Sequence, residues 1–205
     1  MMLKRVHYLS GLCISLFIGF HLFNHITALE GAEKHISTME SFRVVYRNPF
    51  VEFFLLIAVL IQIVSGIRLF RLQRKMAAGF YDRLHLWTGF YMAFFLIIHV
   101  SAVLAGRLLL QLDTNFYFGV AGLNSFPFNL FFIPYYALAI LSFFGHIAAI
   151  HTKKMKMSLF GTSPKQQANI IIILGICLTL LIFYGLTNQF KGIAIPAEYR
   201  VLINQ

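Results

Sequence analysis

Two histidines inside one apolar run carry the first chemical signal in this chain. In RLHLWTGFYMAFFLIIHVSAVLAG, residues 83–106, His85 and His99 are separated by a stretch with no charged residue. At about 100° and 1.5 Å per residue, a helix returns both rings to nearly one face and sets them about 21 Å apart along its axis. Ionisable side chains are costly in hydrocarbon, so imidazoles placed there imply ligation or hydrogen bonding. The spacing suits two centres, one near each surface of a membrane.

The pattern recurs at the start of the chain. Arg5, His7, Gly11 and His21 stand in the same register as Arg83, His85, Gly89 and His99, so RxHxxSG echoes RxHxxTG, each with a histidine ten positions after the glycine. Little else is shared, and the echo reads as functional rather than as proof of duplication. In FHLFNH, His25 follows His21 by one turn with Asn24 beside it. A further histidine, His146, lies in YYALAILSFFGHIAAIH at the depth of His85, because one span ascends where the other descends.

Neutral imidazoles at repeated depths, each beside a small residue, fit axial ligation of haem. Gly89 lies one turn after His85 and offers a narrow slot, while Met92 and Phe95 or Leu96 continue the stripe toward His99 and offer a cage. His21 and His99, with His25 as an alternative, form the outer candidate pair. His7, His85 and His146 are the inner candidates. Bound metal at His25, His35 and Glu33 is a generic further possibility of the spacing. A quinone exchanging electrons with such a carrier needs polar groups at the inner edge, where Asp82 and Arg83 stand.

These residues require helices that cross a bilayer. The chain of 205 residues is 59% hydrophobic and 12% charged, and five runs have the length to span hydrocarbon, at 6–29, 49–70, 84–110, 126–150 and 168–188. The expectation is an all-α, single-domain integral membrane bundle covering residues 1–205, without the charged outer faces of a soluble bundle. The net charge of +10 is not spread as a nucleic-acid surface. Lys4 and Arg5 precede the first run, Arg68, Arg71, Arg74, Lys75 and Arg83 separate the second from the third, and Lys153, Lys154, Lys156 and Lys165 separate the fourth from the fifth. Glu30, Glu33, Glu40 and Asp113 occupy the alternate segments. This asymmetry puts the N-terminus and basic loops on the cytoplasmic side of a bacterial-type inner membrane. Some of those basic groups also suit contact with lipid phosphate or an acidic partner.

The first run has a basic start like a signal peptide, but its length and two histidine depths imply a retained span. Residues 30–48 read as a polar outer cover and 108–129 as an interfacial loop. The fifth run carries no histidine and closes the bundle. His151 is expected to face solvent or headgroups, and Cys13 and Cys177 are expected as small buried side chains.

The order of RVHYLSG, FHLFNH, TGFYMAFFLIIHV and His146 before KKMKMSLFGTSPKQQ resembles the cytochrome b membrane anchor of succinate dehydrogenases and fumarate reductases. The resemblance covers nearly the whole chain. It implies one or two haems b, quinone as exchangeable substrate, and an iron–sulfur subunit and a flavoprotein subunit as partners, the flavin-bearing active site lying outside this chain. His21 and His99 match the ligands of the haem farther from the peripheral subunits, and His146 matches one ligand of the nearer haem. The other nearer ligand coincides with Gln62, a poor axial ligand that, with His146, fits the lining of a polar quinone pocket. Two other readings follow from the same residues: the haem subunit of a different membrane electron-transfer complex, or a haem-free, histidine-lined transporter or structural membrane protein.

Overall fold

A computed structural model describes residues 2–204. It is all-helical: α1 (Met2–Ile26) ends in a 3-10 turn (Thr27–Glu30), followed by α2 (Ala32–Tyr46), α3 (Pro49–Gln73), α4 (Phe80–Leu108), α5 (Phe116–Val120), α6 (Asn129–Lys154) and α7 (Pro164–Leu186), with a second 3-10 segment at Ala197–Ile203. Among the described residues there is no strand, only an isolated bridge between Leu159 and Thr162. α1, α3, α4, α6 and α7 are long and apolar enough to cross a membrane. In hydrocarbon, a helix satisfies its backbone polar groups internally, which is why these apolar runs fold this way.

Local chemistry fixes where the helices start. Asn48 accepts from the Phe50 amide at 3.1 Å with Pro49 in the first turn of α3, so the missing proline N–H falls where no intrahelical partner exists. Ser163 and Gln166 form a reciprocal capping box before α7, again with proline next, satisfying two amides at once. This moves the start of the fifth span to Pro164, ahead of the apolar boundary at 168. α4 likewise begins at Phe80, so Asp82 and Arg83 lie in its first turn and not in the preceding loop. A helix continues through polar residues at the headgroup level, where hydropathy no longer marks its limits.

The five spans close into a ring in the order α1, α3, α4, α6, α7, with α7 returning to α1. Ile14, Ala58 and Val59 form a small core between α1 and α3, with Leu96 and Val100 of α4 against it. A larger core joins α6 and α7 to Leu22, Ala28 and the short α5. At one end, Lys153 pairs with Asp82 at 3.0 Å and the Lys154 ammonium lies 5.9 Å from the Tyr8 ring centroid, which gathers the starts of α1 and α4 and the end of α6. At the far end, α2 lies across α1 and α3, tied to the segment before α5 by Arg43–Asp113 at 2.7 Å and Arg47–Thr114 at 2.9 Å. The polar segment after the first span is therefore a helix with His35 and Met39 buried one turn apart.

One expectation changes. Cys13 and Cys177 are exposed free thiols on the outer surface of their helices, since a thiol on a lipid-facing position incurs little cost. His151 is partly exposed and bonds Gln167 at 2.6 Å, because the loop doubles back and brings the start of α7 beside the end of α6.

Candidate functional site

The histidines form two groups, one at each end of the ring. At the far end, α1 supplies His21 and His25, α4 supplies His99 and α2 supplies His35. His25 Nε2 lies 3.1 Å from His21 Nε2, His25 Nδ1 lies 3.3 Å from His35 Nε2, and Asn24 Nδ2 donates to that same His35 nitrogen at 3.1 Å. In this amide orientation His35 Nε2 is the acceptor, so His25 carries its proton on Nδ1 and accepts at Nε2 from His21. The result is a directional chain of three imidazoles. His35 is buried, and burial, followed by the nearby His21 and Arg43, lowers its pKa to about 4, since a positive charge there is poorly solvated.

His21 and His99 face each other across α1 and α4 with ring centroids 6.1 Å apart and planes inclined at 68°. Phe17 stacks on His21 at 5.7 Å and Phe95 on His99 at 5.0 Å, with Tyr136 edge-on to His99. Two imidazoles sharing one metal at about 2 Å per bond have ring centroids about 6 Å apart. The pair therefore has the separation that two imidazoles sharing one metal would need, inside an aromatic cage. Among the described residues no three His, Cys, Asp or Glu side chains converge as a metal site, which removes the His25, His35 and Glu33 set, and Glu33 is exposed. A macrocycle that brings its own equatorial nitrogens needs only two protein ligands, so haem fits this donor set where a bare ion does not.

At the basic end, His7, His85 and His146 come from α1, α4 and α6. Ser65 donates to the Ile61 carbonyl, so it accepts from His7 Nδ1 at 2.7 Å. His146 Nδ1 donates to the His85 carbonyl at 3.1 Å and lies 3.3 Å from Thr88 Oγ1. His85 and His146 stack with centroids 4.4 Å apart and planes at 27°, too close to hold an iron between them. The expected slot beside Gly89 is filled by His146 itself, whose Cε1 would lie 3.0 Å from a Cβ at that position. His85 Nδ1 is buried without a hydrogen-bond partner among the described residues.

The sequence echo is a repeat of local structure. Ser10 bonds back to the Val6 carbonyl at 2.8 Å and Thr88 to the Leu84 carbonyl at 2.6 Å. The Gln62 amide donates to the His7 carbonyl at 2.7 Å, as His146 does to the His85 carbonyl. A Cβ at Gly11 would meet Gln62 Nε2, as one at Gly89 would meet His146. Thus α1 with α3 and α4 with α6 are built alike, and Gln62 and His146 are counterparts. Ser65 and Thr88, which anchor two of the imidazoles, are members of the candidate site that histidine spacing does not reveal. The signal for Thr88 is present in the motif, in the hydroxyl before each glycine.

The three candidate quinone residues do not share a pocket. Asp82 is paired to Lys153, Gln62 to the His7 carbonyl, and Arg83 lines a recess between α3 and α4 that includes neither of the others. No protein-family model matches the chain, and neither does any curated protein or solved structure.

Proposed function

We propose that this chain is a b-type cytochrome that anchors a succinate or fumarate oxidoreductase in the membrane and passes electrons between its iron–sulfur and flavoprotein partners and quinone. The observation that carries the reading is the His21–His99 pair, 6.1 Å apart across α1 and α4. These two residues would hold one haem b, which would supply one-electron transfer. Phe17, Phe95 and Tyr136 keep water from the site, and the His25–His35–Asn24 chain sets the orientation of the α1 imidazole. Quinone belongs at the basic end, where the buried His85 Nδ1 has no hydrogen-bond partner among the described residues. The stacked His85 and His146 leave a second haem to a rearranged site, so the expected content is one.

The test is haem b per polypeptide in protein purified in mild detergent from haem-replete cells, with the copurifying subunits identified. One haem together with a flavoprotein and an iron–sulfur subunit fits the proposal. Haem without those partners transfers the chain to another electron-transfer complex, and absence of haem removes the cytochrome reading. A haem-free bundle is the second reading, favoured by one observation: His25 already satisfies His21 Nε2 without a metal.

A further inference from the structure

The turn joining α3 to α4 forms an amphiphilic recess that the cytochrome reading leaves unused. Its volume is ≈ 540 Å³, and Arg74, Lys75 and Arg83 line it together with aromatic and aliphatic side chains. Phe70 and Leu86 are its buried floor, and Trp87 and Phe90 are exposed walls. Phe70 stacks on Phe90 at 4.5 Å and meets Trp87 edge-on at 5.2 Å, so the wall is a packed unit. None of the three cations enters an ion pair among the described residues, and the neighbouring carboxylate, Asp82, is held by Lys153 at 3.0 Å.

We propose that this recess is a binding site for an anionic phospholipid, with the phosphate held by Arg74, Lys75 and Arg83 and the upper acyl chain laid along Trp87 and Phe90. Basic residues at the end of a span stand at headgroup depth, and aromatic rings favour the same interfacial layer. A ligand that satisfies both halves must itself be anionic at one end and apolar at the other. Free phosphate or a nucleotide would meet the cations but leave the lipid-facing wall uncovered. A zwitterionic lipid brings its own ammonium to the three cations and loses most of the attraction. The site stands apart from both histidine groups, so it holds whether or not the chain carries haem.

Trp87 is the chain's single tryptophan and forms part of the wall, which makes it the reporter. Full-length protein in an uncharged detergent is titrated with phosphatidylglycerol brominated on its acyl chains, and with phosphatidylcholine brominated in the same way, while tryptophan quenching is followed. Each surface cation adds a factor of roughly five to anionic-lipid binding. Phosphatidylglycerol is therefore expected to reach half-quenching at least about tenfold below phosphatidylcholine. The R74A/K75A/R83A variant erases that preference, while K156A/K165A, which loses charge from the other basic loop, retains it. Equal quenching by the two lipids in the unaltered chain overturns the site, as does a preference that survives the triple variant. A preference lost equally in K156A/K165A assigns it to general surface charge and also overturns the proposal. Displacement of the brominated lipid by millimolar inorganic phosphate at constant ionic strength assigns the recess to a soluble anion instead.

Discussion

The α1–α3 and α4–α6 pairs follow one plan and diverge at one residue. In each, a hydroxyl bonds back along the helix, a glycine opens the next turn, and a side chain from the partner helix donates to the carbonyl of the motif histidine. That side chain is Gln62 in one pair and His146 in the other. An amide and an imidazole satisfy the same carbonyl, but only the imidazole keeps a ring-nitrogen lone pair able to bind a metal. The far end shows the opposite outcome, because the later motif histidines, His21 and His99, face each other across the two pairs. The same register thus yields two imidazoles facing each other across the bundle at one end and imidazoles bonded within each pair at the other.

The largest effect should come from that difference between ends. His99→Ala or His21→Ala is expected to remove nearly all bound haem, measured as the pyridine haemochrome per polypeptide, while His146→Ala retains it. Equal loss in all three variants would show that the basic end also holds the cofactor.

His35 has no counterpart in the α4–α6 pair and should give the far end its own acid sensitivity. Its folded pKa of about 4 lies below the ordinary 6.5, so between these values the unfolded chain binds a proton that the folded chain refuses. Stability from this group is constant above pH 6.5 and falls as pH drops toward 4, by roughly 3 kcal/mol at about 1.4 kcal/mol per unit. Denaturation in mixed micelles as a function of pH should show His35→Gln losing that slope, and an unchanged slope would place the acid-sensitive group elsewhere.

The likeness of the pairs is tested at their point of divergence. His146→Ala removes one donor from the His85 carbonyl, which keeps Thr88 Oγ1 at 3.3 Å, and should cost about 1 kcal/mol for that hydrogen bond, whereas His146→Gln copies the other pair and should recover most of that. A glutamine as damaging as alanine would sink the equivalence. Smallest is the contrast along α1. Gly11→Ala must displace the Gln62 amide, 2.6 Å from the new Cβ, and the loss of that hydrogen bond, about 1 kcal/mol, should cancel alanine's helix-propensity gain of similar size. Gly19 faces nothing within 4 Å, so its alanine variant should melt at or slightly above the unaltered protein, alanine being about 1 kcal/mol the better helix former.

The spans were legible because hydropathy marks what hydrocarbon demands, and the matching depths of His85 with His146 and His21 with His99 followed from rise per residue. Their partners were less so. Spacing along α1 and α4 could not show that α6 would press His146 into the space at Gly89, since that depends on how helices far apart in sequence pack. His35 was masked by its polar neighbours. Its burial is written in the one-turn interval to Met39, a weak stripe on a helix whose opposite face is charged. Asp82 and Arg83 were read together as one polar edge, yet adjacent helical positions point about 100° apart, toward α6 and α3 respectively.

The seam between α1 and α7 has a consequence for how the protein is made. Gly185 lets the backbone at Ala28 and Leu29 approach so closely that a Cβ there would fall 2.9 Å from the Leu29 amide nitrogen. The turn that ends the first span is therefore seated by the last of the five spans that the ribosome delivers. Because synthesis runs from the N-terminus, α1 waits through the insertion of α3, α4 and α6 with its histidine-bearing end only partly enclosed. The contact between α1 and α7 that closes the ring is therefore the last of the inter-span contacts to form.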